Sequence, residues 1–165
     1  LQEIREEIDL IDDNVKFEAG LTYLSYNEFG KALDSFLKLL PKYKDEWNIL
    51  YLIGMCYKGL GEFNIAIDYL NESIQLNDEE PDLYNELGII RFTEGKIIEA
   101  IKIFTKGIEK VNSDYKLYFN RGLGYIQLGE HNLALDDINN AYELNPNDEN
   151  VIKQKKELED LTSSI

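Results

Sequence analysis

Apolar positions run along this chain with a helical rhythm, and the rhythm itself recurs. Leu33, Phe36, Leu37 and Leu40 fall on one face of a 3.6-residue helix. Gly20, Gly54, Gly88 and Gly122 stand 34 residues apart, and Ala32, Ala66, Ala100 and Ala134 keep the same period. Phe36, Leu70, Phe104 and Ile138 follow the alanines by four residues. Tyr23, Tyr57 and Tyr125 follow three of the glycines by three, with Arg91 at the remaining place. Asn27, Gly61, Gly95 and Gly129 come seven residues after the glycines and are residue types that tolerate the backbone of a helix end.

Each unit therefore reads as helix A, a turn and helix B. The spacing predicts A helices over 14–26, 47–59, 81–93 and 115–127, and B helices over 29–40, 63–76, 97–110 and 131–144. Pro41 stops the first B helix, and Pro81 sits in a first turn, where proline is tolerated. A last helix over 149–161, capped by Asn147 or Asp148, carries Val151, Ile152, Leu158 and Leu161. A helical glycine costs about 1 kcal/mol against alanine. Four at one period need a packing reason, and close approach of helices A and B supplies it.

A fixed period of this length marks stacked repeats. The expected organisation is one all-α domain over 1–165, with repeats at 13–46, 47–80, 81–114 and 115–148 and a capping helix and tail at 149–165. Leu1, Ile4, Ile8 and Ile11 make residues 1–12 amphipathic, either an N-terminal cap or the end of an upstream repeat. The chain starts at Leu1 rather than Met, which suggests a segment of a longer protein.

These residues resemble the tetratricopeptide repeat family, whose pattern runs aromatic, Leu-Gly, Tyr, Ala, Phe and a closing Pro. The fourth repeat matches with Tyr118, Gly122, Tyr125, Ala134, Ile138, Ala141 and Pro146. The third gives Tyr84, Leu87-Gly88, Ala100 and Phe104; the second Gly54, Tyr57 and Ala66; the first Gly20, Tyr23, Ala32 and Phe36. The closing proline stands only in the fourth. The resemblance implies a right-handed α–α superhelix of four tandem repeats, with the A helices lining a concave groove.

The groove so implied takes in Phe17, Glu18, Leu21 and Leu24, then Tyr51 and Met55, then Asn85, Glu86, Ile89 and Phe92, then Phe119, Asn120, Leu123 and Ile126. Leu21, Met55, Ile89 and Leu123, each directly after a ladder glycine, form an apolar row. It is either the floor of a docking groove or half-buried core between A helices. Some members of the family clamp a carboxylate tail with Lys, Asn and Arg. The matching places here hold Phe17, Leu21, Leu52, Asp82 and Glu86, and a register one repeat later offers only Lys116. A partner with apolar anchors and a basic residue or two suits the groove better.

Charge narrows the partners further. Thirty-two acids against 17 bases leave −15, which repels nucleic acid and anionic membranes. No apolar run reaches the roughly 20 residues a membrane span needs. One Cys and one His leave almost no material for zinc or thiol catalysis, so no catalytic, metal or cofactor site is expected. Cys56 reads as a small buried residue and His131 as packed in a turn. Asp12-Asp13, Glu79-Glu80 and Asp136-Asp137 read as helix starts or solvated faces. The expected function is a non-catalytic, cytoplasmic protein-binding scaffold, with weak self-association through the groove or terminal helices. An assembly or secretion-type chaperone, and the interaction part of a larger enzyme or regulator, are the alternatives.

Overall fold

The computed structural model describes residues 2–162. Leu1 and the tail at 163–165 lie outside it, as do the side chains of Glu3, Ile8 and Thr162. Among the described residues there are nine helices and no strand: α1 (Gln2–Ser25), α2 (Phe29–Leu39), α3 (Trp47–Gly59), α4 (Phe63–Leu76), α5 (Pro81–Thr93), α6 (Ile97–Lys110), α7 (Tyr115–Gln127), α8 (His131–Leu144) and α9 (Glu149–Thr162). Eight of these follow the predicted segments to within a residue. Asp148 caps α9, its carboxylate accepting from the backbone N–H groups of Asn150 (2.9 Å) and Val151 (3.1 Å).

The first helix is the exception. No break separates residues 1–12 from the first repeat; α1 starts at Gln2 and runs through to Ser25. That segment has neither Gly nor Pro to stop a helix, and Lys16 bonds Asp12 one turn back at 2.5 Å. The 34-residue frame had set the break at a repeat boundary, where the local chemistry provides none.

Two compact units make up the chain, Leu1–Asn77 and Asp78–Ile165. In the first, α1 packs on α2, α2 on α3 and α3 on α4. Its core gathers Ala32, Phe36, Leu39, Ile49, Ile53 and Cys56. In the second, α5 to α9 pack in sequence order and α5 also meets α7. There, Ala134, Ile138 and Ala141 of α8 bury Val151 and Leu158 of α9.

The glycine ladder has the packing reason expected of it. A Cβ at Gly20 would stand 2.6 Å from the Phe36 ring, at Gly54 3.2 Å from Leu70, and at Gly122 3.1 Å from Ile138. At Gly88 it would strike Phe104 closer still. Each glycine thus faces the residue four places after its alanine, on helix B of its own repeat. The A-to-B turns share one geometry. Asn27, Gly61, Gly95 and Gly129 have φ of 57°, 80°, 76° and 76°, and the next residue's N–H donates back to Tyr23, Tyr57, Arg91 or Tyr125 at 2.8–2.9 Å.

Candidate functional site

Helical spacing brings Phe17, Leu21 and Leu24 to one stripe of α1, and Tyr51, Met55 and Lys58 to one stripe of α3. All six are half-buried, while Glu18 beside them is exposed. Between the stripes lies a cleft of about 360 Å³, lined by Leu24, Phe29, Tyr51, Leu52 and Met55, with Asn27 and Lys58 at its edge. Phe29 comes from helix B, not helix A. Its ring fills the space that a side chain at Gly59 would need. A lone glycine at the end of α3, off the 34-residue ladder, was the sequence signal for it.

A second hollow of about 280 Å³ lies toward the N-terminal end of α3, with Asp13, Asn14 and Phe17 on one side and Tyr43 and Asn48 on the other. Asp13 accepts from Lys42 Nζ (2.6 Å) and from the Tyr43 hydroxyl (3.1 Å). The Lys42 ammonium holds its carboxyl below the usual carboxylate range. Asp13 therefore ties α1 to the turn that follows α2, rather than standing at the helix start or solvated face expected of it.

In the second unit, Ile89 and Phe92 of α5 and Asn120 and Leu123 of α7 line a cleft of about 190 Å³ floored by Phe104 of α6. These groove residues are half-buried, as are Glu86, Phe119 and Ile126. Asn85 departs from expectation. It is 3% exposed, donates to Asp114 at 3.1 Å and accepts from Asn120 at 3.0 Å. Its amide ties α5 to α7 and does not face a ligand. Lys116, the one match to a carboxylate clamp, sits 3.3 Å from Asp82, whose charge pushes its ammonium up. The apolar row Leu21, Met55, Ile89 and Leu123 is half-buried throughout, but its members differ: Leu21 packs against the core of the first unit and lines neither cleft, while Met55 lines one cleft and Ile89 and Leu123 the other.

Asp137, expected at a helix start or solvated face, is buried instead. Arg121 donates to both carboxylate oxygens of Asp137, at 2.8 and 2.7 Å, and to the Thr105 hydroxyl at 3.1 Å. The Asp137 side chain is 4% exposed. The sequence carried a signal here: one repeat earlier the same two places hold Leu87 and Ile103, so opposite charges had appeared together at two apolar positions. Cys56 is fully buried, and desolvation pushes its thiol up to about 12, so it is not a nucleophile at neutral pH. His131 opens α8, with Nδ1 buried and unpaired among the described residues.

Tetratricopeptide repeat models match residues 48–80 and 115–148, the second and fourth of the helix pairs. The chain belongs to the tetratricopeptide repeat family. Its sequence is 34% identical over 115 residues to the BBSome complex member BBS4 of Mus musculus, covering 70% of this chain and 22% of that protein. It is 31% identical over 85 residues to the Photosystem I assembly protein Ycf3 of Rippkaea orientalis, covering 50% of this chain and 49% of Ycf3. This tetratricopeptide repeat chain spans about a quarter of the length of the curated BBS4 relatives it matches.

Solved structures share the fold at low identity. Pseudomonas aeruginosa pilF superposes with a TM-score of 0.78 at 16% identity, over 88% of this chain and 67% of pilF. YrrB, a TPR protein with an unusual peptide-binding site, gives 0.71 at 23%, over 91% and 77%. The first TPR of Spaghetti (RPAP3), bound to the HSP90 peptide SRMEEVD, gives 0.66 at 20%, over 72% and 94%. Among the described residues no helix is long and apolar enough to cross a membrane.

Proposed function

We propose that this chain is a non-catalytic protein-interaction scaffold that holds apolar side chains of a peptide or helix in the clefts of its two units. The observation that carries this reading is the half-buried apolar row beside the ladder glycines, with Met55 lining one cleft and Ile89 and Leu123 the other. Tetratricopeptide repeat proteins are in general scaffolds, and YrrB and RPAP3 are described with peptide sites. Each anchor buried is worth about 1.5–3 kcal/mol gross. Much of that is offset by lost motion, so micromolar binding is expected.

Basic residues flanking the anchors fit Glu18 and the net acidity better than an acidic tail does, because Asp82 already neutralises Lys116. The likeness to Ycf3 favours a second reading, an assembly role in which the clefts cover apolar segments of cargo. Both readings allow the module to serve within a larger, cytoplasmic protein.

Met55→Glu and Ile89→Glu test the scaffold reading. We expect each to weaken binding of an amphipathic peptide by tenfold or more, about 1.4 kcal/mol, while the thermal midpoint moves by only a few degrees. Undiminished binding with the fold intact would show that the partner uses another face. Loss of the fold would show that the row is core.

A further inference from the structure

The clefts beside Met55 and Leu123 occupy the same place in the repeat, two repeats apart. Leu24, Leu52 and Met55 in the first correspond to Phe92, Asn120 and Leu123 in the second. Yet the first holds about 360 Å³ and the second about 190 Å³. Phe92 carries a ring where Leu24 carries two methyl groups. In a close-packed structure that extra volume comes out of the cleft.

The walls differ in chemistry as well. Gly59 leaves space for the ring of Phe29 against α3, and that ring and Tyr51 give the first cleft two aromatic walls. The places of Phe29 and Gly59 hold Ile97 and Gln127 two repeats later, and neither lines the second cleft. Met55 adds a thioether, whose sulfur favours the edge of a ring. Lys58 brings positive charge to the rim of the first cleft, at the place held by Ile126 two repeats later. The face of an aromatic ring is negative, so that charge is complementary to it. In the second cleft the amide of Asn120 donates to Asn85 at 3.0 Å. A ring pressed over that amide would strip its water and return no hydrogen bond.

We propose that the two clefts read different anchors: the first unit takes an aromatic side chain and the second a compact aliphatic one, with Leu24 and Phe92 as the residues that set the difference. This rests on the scaffold reading and deepens it. The partner is then a protein that offers Trp or Phe to the first unit and Leu, Ile or Val to the second. Both leucine and phenylalanine occur at this place in a folded repeat, so exchanging them should leave the scaffold intact.

Titration of the isotope-labelled 165-residue chain with N-acetyltryptophanamide, and separately with N-acetylleucinamide, tests this by nuclear magnetic resonance. Backbone amide shifts of Leu52 and Met55 report the first cleft, and those of Ile89 and Leu123 the second. We expect the tryptophan amide to bind about tenfold more tightly than the leucine amide at the first cleft, and no more tightly at the second. Leu24→Phe should abolish the preference at the first cleft, and Phe92→Leu should create it at the second. Each exchange should move the ratio of the two dissociation constants about tenfold. Equal ratios at the two clefts, or ratios that neither exchange moves, would overturn the proposal and leave the scaffold reading standing. No shift at either cleft with either amide would overturn both. Should Leu24→Phe lose helix content by circular dichroism, Phe92→Leu decides alone, since it opens space at a half-buried site rather than overfilling one.

Discussion

At the scale of single residues, a methyl group decides how tightly a repeat closes. Gly88→Ala places a Cβ against the ring of Phe104, which is 1% exposed and cannot swing away. Overpacking costs about 1–3 kcal/mol, against roughly 1 kcal/mol regained by removing a helical glycine. We expect a net loss of about 1–2 kcal/mol in urea unfolding. Gly30→Ala is the control: nothing lies within 4 Å of its Cβ, and the same change should stabilise by about 0.5 kcal/mol. The ladder glycines were legible because period and packing agree. Asn85 was not, because its burial depends on Asp114 and Asn120, which lie about one repeat away in sequence.

Between elements, α6, α7 and α8 meet at one ion pair. Arg121 of α7 bridges Asp137 of α8 and Thr105 of α6. Asp137→Ala should cost about 3–5 kcal/mol, because it strands a largely buried guanidinium. Arg121→Leu with Asp137→Ile, the types found at Leu87 and Ile103, should recover most of that loss in the same thermal or urea measurement. Helix positions were readable because apolar periodicity and turn residues are local. The extent of α1 was not, because its first turns belong to no repeat and the repeat frame says nothing about where such a helix begins. The clefts were half legible: their A-helix walls follow from spacing, but Phe29 and Phe104 reach them from B helices.

Across the whole molecule, acidity sets a pH window. A net charge of −15 repels itself at neutral pH, and the repulsion relaxes toward the isoelectric point near 4.4. Lys42 lowers the carboxyl of Asp13, Lys110 that of Asp78, and Arg91 that of Glu94. A carboxyl depressed in the folded state stabilises above its unfolded value of about 4, and that contribution is lost as pH falls through the folded value. The thermal midpoint should therefore rise from pH 7 toward 5 and fall below about 4, and Asp13→Asn should lower it at pH 7 but not at pH 2. The buried ion pair of the second unit has a different consequence at this scale. In a chain of look-alike repeats, the nearest wrong structure is the right helices docked one unit out of step. Arg121 and Asp137 fit only beside each other, since any other slot would bury an uncompensated charge. They act as a key cut for one lock, so the repeat whose sequence keeps the closing Pro146 is also the one that the chain cannot shuffle.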